Sequence, residues 1–517
     1  MIRSSHSHTQ SDHHMQNAHV SAGDRPEARL DALPAKELLS FFEAPHLERE
    51  KRQFSYFIKV DLAHTVMLGE REILTNSQTR SILETLREIE SLGPEGIPMD
   101  PTHGSLLFQI ERYLISRIGE HTGGRMHIGR SRLDQGPTAR RLYKRSELLG
   151  VMDRIGRLRA DLQDLAGRHH ETIMPGYTCL QHAHPGVFGQ YLLGFGNKLG
   201  DDFDRLTASY ARLNLNPLGG AGLSGTSWPI DRSRTTELLG FDGLVKNSRL
   251  VREAYYAAEV ASGLSLLMST LNDLATDLHL WSSYEFGFIE TADELCGTSS
   301  IFPQKKNPTA LEAVKFAAGE AVTWLSTALA TFRAEGTGDV VMRELPLLDR
   351  AFVAASGSLA LMSAAIRTLR VDEARMKHLS AANWSTATDL ADEIVRRRDV
   401  SFREAHNIVA RLVRIATKAN LQPAELTGSL LDEAATELKL QPPRLDDETV
   451  CGAFDVETFV RSRVSTGSVH PDQVSALQED EAISLLEGRN WLDDRRKKLR
   501  EADHELERAV SRFIAAA

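Results

Sequence analysis

The sequence predicts an all-α protein, with a central bundle of long helices and smaller helical domains on its N- and C-terminal sides. Three observations carry this. Val260, Leu264, Leu267, Leu271, Leu274, Leu278 and Trp281 recur at alternating spacings of four and three, the heptad pattern of a buried helical seam. Further stretches, about 137–170, 184–213, 308–333 and 344–369, have helical periodicity and end at Pro- and Gly-containing segments. Strand-like alternation is scarce.

Taken in order, residues 1–40 form a polar tail with His6, His8, His13, His14 and His19. Its composition favours a disordered tail over a metal-binding tract. Residues 41–130 are expected as a helical N-terminal domain, 131–373 as the long-helix bundle and 374–517 as a helical C-terminal domain. The stripe from Val260 to Trp281 demands a long partner, most simply another helix. So long a seam also makes pairing with further copies of the chain plausible.

Composition excludes several classes. The chain has 517 residues, 41% of them hydrophobic, enough for a large core and more than one domain. A net charge of −10 with interspersed signs leaves no footprint for nucleic acid or an anionic membrane. No run of about 18 apolar residues suggests a membrane span, and the N-terminus lacks a signal-peptide core. Cys179, Cys296 and Cys451 match no zinc or disulfide spacing. A reducing, cytoplasmic setting is the expectation.

Polar clusters fall where the helices should end, the usual place for function. They are "HIGRSRLDQGPTARR", "MPGYTCLQHAHP" and "CGTSSIFPQKKNP". Each has a bland account. The first is a helix start capped by Ser131 or Asp134, and the second is a turn before a helix. Neither account explains three clusters rich in hydroxyls, amides and isolated cations.

Together the clusters resemble the three signature segments of the fumarase/aspartase superfamily. "TSSIFPQKKNP" is similar to its loop G-S-S-x-M-P-x-K-x-N-P. "GRSRLDQ" and "PGYTCLQHAHP" resemble the other two segments in their argininosuccinate lyase form. "NPLGGAGLSGTSWPIDR", "LGFDGLVKNS", "LATDLHLWSSYEFGFIE" and "ATDLADEIVRRRDVSFREAHNIV" follow in family order. The resemblance implies a fumarase/aspartase-type bundle assembled as a homotetramer, with each site built from segments of three subunits. It implies β-elimination from an N-succinyl compound with release of fumarate, or the reverse addition, with no cofactor and no metal.

The resemblance also implies roles. A site for this chemistry needs a base at the carbon and cations or amides at the carboxylate. Ser299 is the implied base, acting as an alkoxide, with Lys305 and Asn307 at the carboxylate where charge develops. Ser131 and Arg132 would clamp succinyl carboxylates. Asp134, Gln135, Thr178, Gln181 and Ser300 complete the substrate-binding set, and Lys306 would stand outside it. The prolines would keep the loop rigid and non-helical.

Departures cluster at functional positions. Cys179 stands where the lyases carry a histidine that pairs with a glutamate, here Glu312; both are candidate catalytic residues. A thiol is uncharged near neutrality unless perturbed, so it cannot simply replace an imidazole. His182 and His184 are the nearby candidates to replace it. Leu133 replaces an amide, Thr298 a glycine and Phe302 a methionine, and "HGSLLFQIERYL" lacks an acidic run of the lyases. Downstream, "GTGDVVMRELPLLDR" sets Val341 and Glu344 where the lyases hold the amino-acid end of argininosuccinate, with Arg343 between them as a candidate substrate contact. Three readings stay open: a lyase for another N-succinyl compound, argininosuccinate lyase proper, and a silent structural relative.

Overall fold

The computed structural model describes residues 32–332 and 344–515. They divide into two compact units: residues up to 128 together with those from 510 onward, and residues 129–509. In the first unit, helices Phe54–Glu70, Asn76–Leu92 and Leu106–Ile118 pack around Phe57, Ile58, Leu62, Leu83, Leu86 and Ile110. Thr75 starts the middle helix by reciprocal capping. Its hydroxyl accepts from Gln78 N at 3.2 Å, and Gln78 Oε1 accepts from Thr75 N at 3.1 Å.

The second unit is built on helices Arg132–Arg168, Phe188–Leu213, Tyr255–Trp281, Thr309–Ala321 and Leu347–Thr368, packed side by side. All seven stripe residues from Val260 to Trp281 are buried among them. The chain therefore satisfies its own seam, and the stripe offers nothing to another copy. Surplus apolar surface lies elsewhere: Phe316, Val322 and Val353 are each more than 70% exposed.

Helix bounds differ from the sequence expectation where capping decides them. The first long helix starts at Arg132 because Ser131 caps it, and Pro137 is carried inside. The stretch 308–333 breaks into Thr309–Ala321 and Trp324–Thr331. Leu347–Thr368 is long and apolar enough to cross a membrane, by length and composition alone, contrary to expectation. Its buried face, Leu348, Ala351, Phe352, Ala355, Leu359 and Met362, packs into the bundle core.

Helices Ala387–Arg397, Phe402–Ala419 and Gly428–Glu437 share a separate apolar cluster around Leu390, Ile394, Ile408, Leu412 and Leu431. The 45-residue helix Pro471–Ala515 follows. Glu481 on it meets Arg159 of the first long helix at 2.8 Å, both fully buried. Asn197 Nδ2 donates to the other Glu481 oxygen, and Arg159 also donates to Ser484 Oγ. A buried pair is tolerable only when its remaining polar atoms are bonded in this way.

Five two-stranded ladders, two residues per strand, interrupt the helices among the described residues. Two of them lie in the second and third polar clusters, and a third brackets the second. Sequence periodicity cannot reveal strands this short.

Candidate active site

The first cluster is a helix start. Ser131 Oγ accepts from Leu133 N at 3.2 Å, and Asp134 Oδ1 accepts from Ser131 N at 2.8 Å. The other Asp134 oxygen accepts from Ala221 N at 2.7 Å, tying the helix start to the Gly-rich segment after Asn216. Asp134 is fully buried, and burial raises its pKa against the pull of these amides and Arg130. Gln135 is equally buried. In the single chain both side chains face inward, whereas Arg132 is exposed and Ser131 half-buried. Asp134 is engaged in holding backbone.

The second cluster is a β-hairpin. Tyr177–Thr178 pairs with Gln181–His182, and Cys179 and Leu180 form the two-residue turn. Both turn residues have left-handed backbone, φ 52° and 57°, as a type I′ turn requires. Left-handed backbone is unfavourable for such side chains by about 1–2 kcal/mol per residue. Packing at the base holds it. The Tyr177 ring lies against His182, Phe286 and Phe288 at 5.1, 5.7 and 6.5 Å. At Gly176 an added Cβ would sit 2.2 Å from His184 O, so only glycine fits. Thr178, Cys179 and Gln181 are exposed at the tip. His182 is packed on Tyr177, and His184 Nε2 is 2.9 Å from Thr388 Oγ1. Both histidines hold the base of the hairpin and are absent from its tip.

The third cluster is a second hairpin, Gly297–Thr298 paired with Lys306–Asn307. Within its loop, Ser299 Oγ accepts from Phe302 N at 3.0 Å and from Ile301 N at 3.4 Å. Lys305 N closes the turn on Phe302 O at 3.1 Å. The Lys306 ammonium contacts Glu290 at 2.8 Å and Asp293 at 2.6 Å. These carboxylates raise its pKa, Asp293 first, and Lys306 in turn lowers that of Asp293. The Lys305 side chain is exposed and makes no hydrogen bond or ion pair among the described residues. Ser300 is exposed, Asn307 half-buried, and Glu312 exposed in the first turn of Thr309–Ala321. Cys296 is half-buried with Sγ 3.8 Å from Thr291 O, and burial raises its thiol pKa.

Arg343 and Val341 lie outside the described residues. Glu344 is 2% exposed, and its carbonyl accepts from the buried Lys144 ammonium at 2.5 Å. Its side chain is therefore not an open surface for a substrate carboxylate, contrary to the sequence expectation.

The three clusters do not meet within one chain. Ser131 starts a 37-residue helix, which spans about 55 Å at 1.5 Å per residue. The second cluster follows that helix's far end. The third lies at the same far end, because Phe288 stacks on Tyr177 and Lys306 is anchored to Glu290.

Known proteins resemble the chain over most of its length. Residues 28–323 match the Lyase family, and residues 384–461 match the argininosuccinate lyase C-terminal family. Argininosuccinate lyase of Methanosarcina acetivorans is 39% identical over 86% of this chain and 90% of its own. Argininosuccinate lyase 1 of Shouchella clausii is 32% identical over 92% and 96%. A solved EDDS lyase variant with bound fumarate superimposes with TM-score 0.83 at 32% identity, covering 94% of this chain and 97% of that one. A class II fumarase from Schistosoma mansoni shares the fold, with TM-score 0.64 at 18% identity over 80% and 94%. The chain is a carbon–nitrogen lyase belonging to the argininosuccinate lyase-like part of the fumarase/aspartase superfamily.

Proposed function

We propose that this enzyme cleaves an N-succinyl compound other than argininosuccinate by β-elimination, releasing fumarate, or runs the corresponding addition. The observation that carries the reading is Ser299 Oγ accepting two backbone N–H groups in a loop braced as a hairpin. A serine is a useful base only if its ionised oxygen is stabilised, and backbone donors supply that without reorganising. Ser299 takes the proton from the carbon beside a carboxylate. Lys305 and Asn307 meet the charge that accumulates there. The electron pair left on carbon forms the new double bond, the bond to nitrogen breaks, and the departing amine is protonated. Glu312 and Cys179 are assigned to proton movement; Thr178, Gln181 and Ser300 to substrate contacts.

Ser131 and Arg132 then come from a different copy, since about 55 Å of helix separates them from Ser299 in one chain. The reading takes the enzyme to be a homotetramer with shared sites. Exposed Phe316, Val322 and Val353 supply apolar surface for contacts between copies. Asp134 and Gln135 support this segment from inside. Val341 and Glu344, standing where the lyases hold the amino-acid end of argininosuccinate, favour a substrate other than argininosuccinate, while Cys179 and Leu133, standing for histidine and amide, favour a silent relative. The 39% identity to argininosuccinate lyases favours the second reading.

The test is fumarate release, followed by ultraviolet absorbance, across N-succinyl amino acids, amines and guanidines, argininosuccinate included. Ser299→Ala should lower kcat on the best substrate by about 10²–10⁴-fold, the contribution of a general base, with KM little changed. Near-wild-type turnover by the variant defeats the mechanism. Efficient turnover of argininosuccinate, about 10⁴ M⁻¹s⁻¹ or more in kcat/KM, selects the second reading. No turnover and no fumarate binding by the wild type would mark a silent relative.

A further inference from the structure

The loop sequence contains two adjacent lysines, and their surroundings differ. Lys306 touches two carboxylates, while Lys305 has no such partner among the described residues. Register explains why the difference matters. Gly297 pairs with Asn307 and Thr298 with Lys306. Cross-strand partners share a face, and successive residues alternate. Thr298 and Lys306 therefore occupy one face, and Gly297 and Asn307 the other. Continued one step into the loop, the register sets Ser299 opposite Lys305, on the Asn307 face.

A slip of one residue would exchange the faces. With two lysines in a row, the slipped hairpin would present Lys306 in place of Lys305 and would turn Asn307 away. Little in the ladder itself forbids this. It has only two residue pairs, one of its four residues is a glycine, and Thr298 is exposed. The carboxylates that receive Lys306 sit on backbone that precedes the hairpin and is fixed independently. Glu290 belongs to the ladder with Arg370, and Asp293 opens the turn Asp293–Leu295.

We propose that Lys306 is a positioning residue: clamped between Glu290 and Asp293, it sets the hairpin's register and so keeps Ser299, Lys305 and Asn307 on the reacting face. The proposal rests on the reading of Ser299 as the base. Exposed ion pairs add little to global stability, so the role is local to the loop.

Hydrogen exchange by mass spectrometry on the full-length protein reads the loop without any substrate. In Lys306→Met, amides of residues 297–308 should exchange about tenfold faster, with the thermal midpoint unchanged. Fumarate affinity and kcat should fall together by about 10²-fold, the cost of a misplacement near 1 Å. Lys306→Arg should restore all three. Lys305→Met should lose fumarate binding with loop exchange as in wild type. The pair Glu290→Gln with Asp293→Asn should reproduce Lys306→Met, and adding Lys306→Met to it should change nothing further. Unaltered loop exchange in Lys306→Met overturns the proposal. So does faster exchange spread over the whole chain, which marks a general structural role. If the wild type neither binds fumarate nor turns over a succinyl compound, the functional reading fails, while the exchange measurements still decide the clamp.

Discussion

Two inactive variants of this protein should rescue each other. Ser131 and Arg132 stand at one end of a 37-residue helix, and Ser299 belongs to the cluster near its other end. About 55 Å is far beyond the reach of one substrate. If the first and third segments of a site come from different copies, Arg132→Ala and Ser299→Ala damage different contributors. Mixed at equal amounts, half the sites receive an intact first segment and half of those an intact loop. Roughly one quarter of sites should therefore regain wild-type chemistry in randomly mixed oligomers. The assay is co-refolding of two mass-tagged variants, confirmation of mixed oligomers by native mass spectrometry, and fumarate release compared with each variant alone. Activity near a quarter of wild type is expected from two parents that are each close to dead. Mixed oligomers that remain as inactive as the parents would refute the shared site.

Other perturbations follow from buried or strained groups. Glu481→Ala should destabilise the protein by about 3–5 kcal/mol, because it leaves the Arg159 guanidinium buried without its counter-charge; urea unfolding would show it, and a loss below about 1 kcal/mol would contradict the burial. Leu180→Gly should stabilise by roughly 0.5–1 kcal/mol, since relief of the left-handed backbone outweighs the extra chain entropy. A lower denaturation midpoint in that variant would argue against strain at the hairpin tip. His169 has its pKa lowered by burial, partly opposed by Glu373. Its neutral form is thus favoured by folding, so its stabilising effect is present above the unfolded pKa and is lost as pH falls through the folded one. His169→Gln should accordingly flatten the decline of stability between about pH 7 and pH 5, as followed by denaturation at each pH.

The seam from Val260 to Trp281 was legible because one period, sustained over 22 residues, has one physical meaning. The cap at Ser131 was legible from residue type and spacing. The hairpins at Cys179 and Ser299 were not, because two-residue strands leave no alternation, and Cys-Leu is an unfavourable type I′ pair whose conformation depends on Tyr177 packing beneath it. Lys306 was separable from Lys305 only through Glu290 and Asp293, whose positions depend on a ladder with Arg370. Glu344 misled in the other direction. Resemblance to the lyases sets it where a substrate carboxylate would meet like charge, whereas local packing buries it near Lys144. The chemistry-bearing types were visible along the chain, and the face each one presents was set by contacts distant in sequence.

The helix from Arg132 to Arg168 also acts as a gauge. If catalytic parts from its two ends must coincide in an assembled molecule, its length is part of the site's geometry. Deleting three or four residues from its middle would turn Arg132 only modestly about the axis but would draw it in by about 5 Å. Deleting seven would keep the heptad face and shift it by about 10 Å. Either change could leave a well-folded bundle whose reacting groups no longer align. Length variation in such a chain should therefore collect in its tail, its surface loops and its C-terminal helices, and spare this one span.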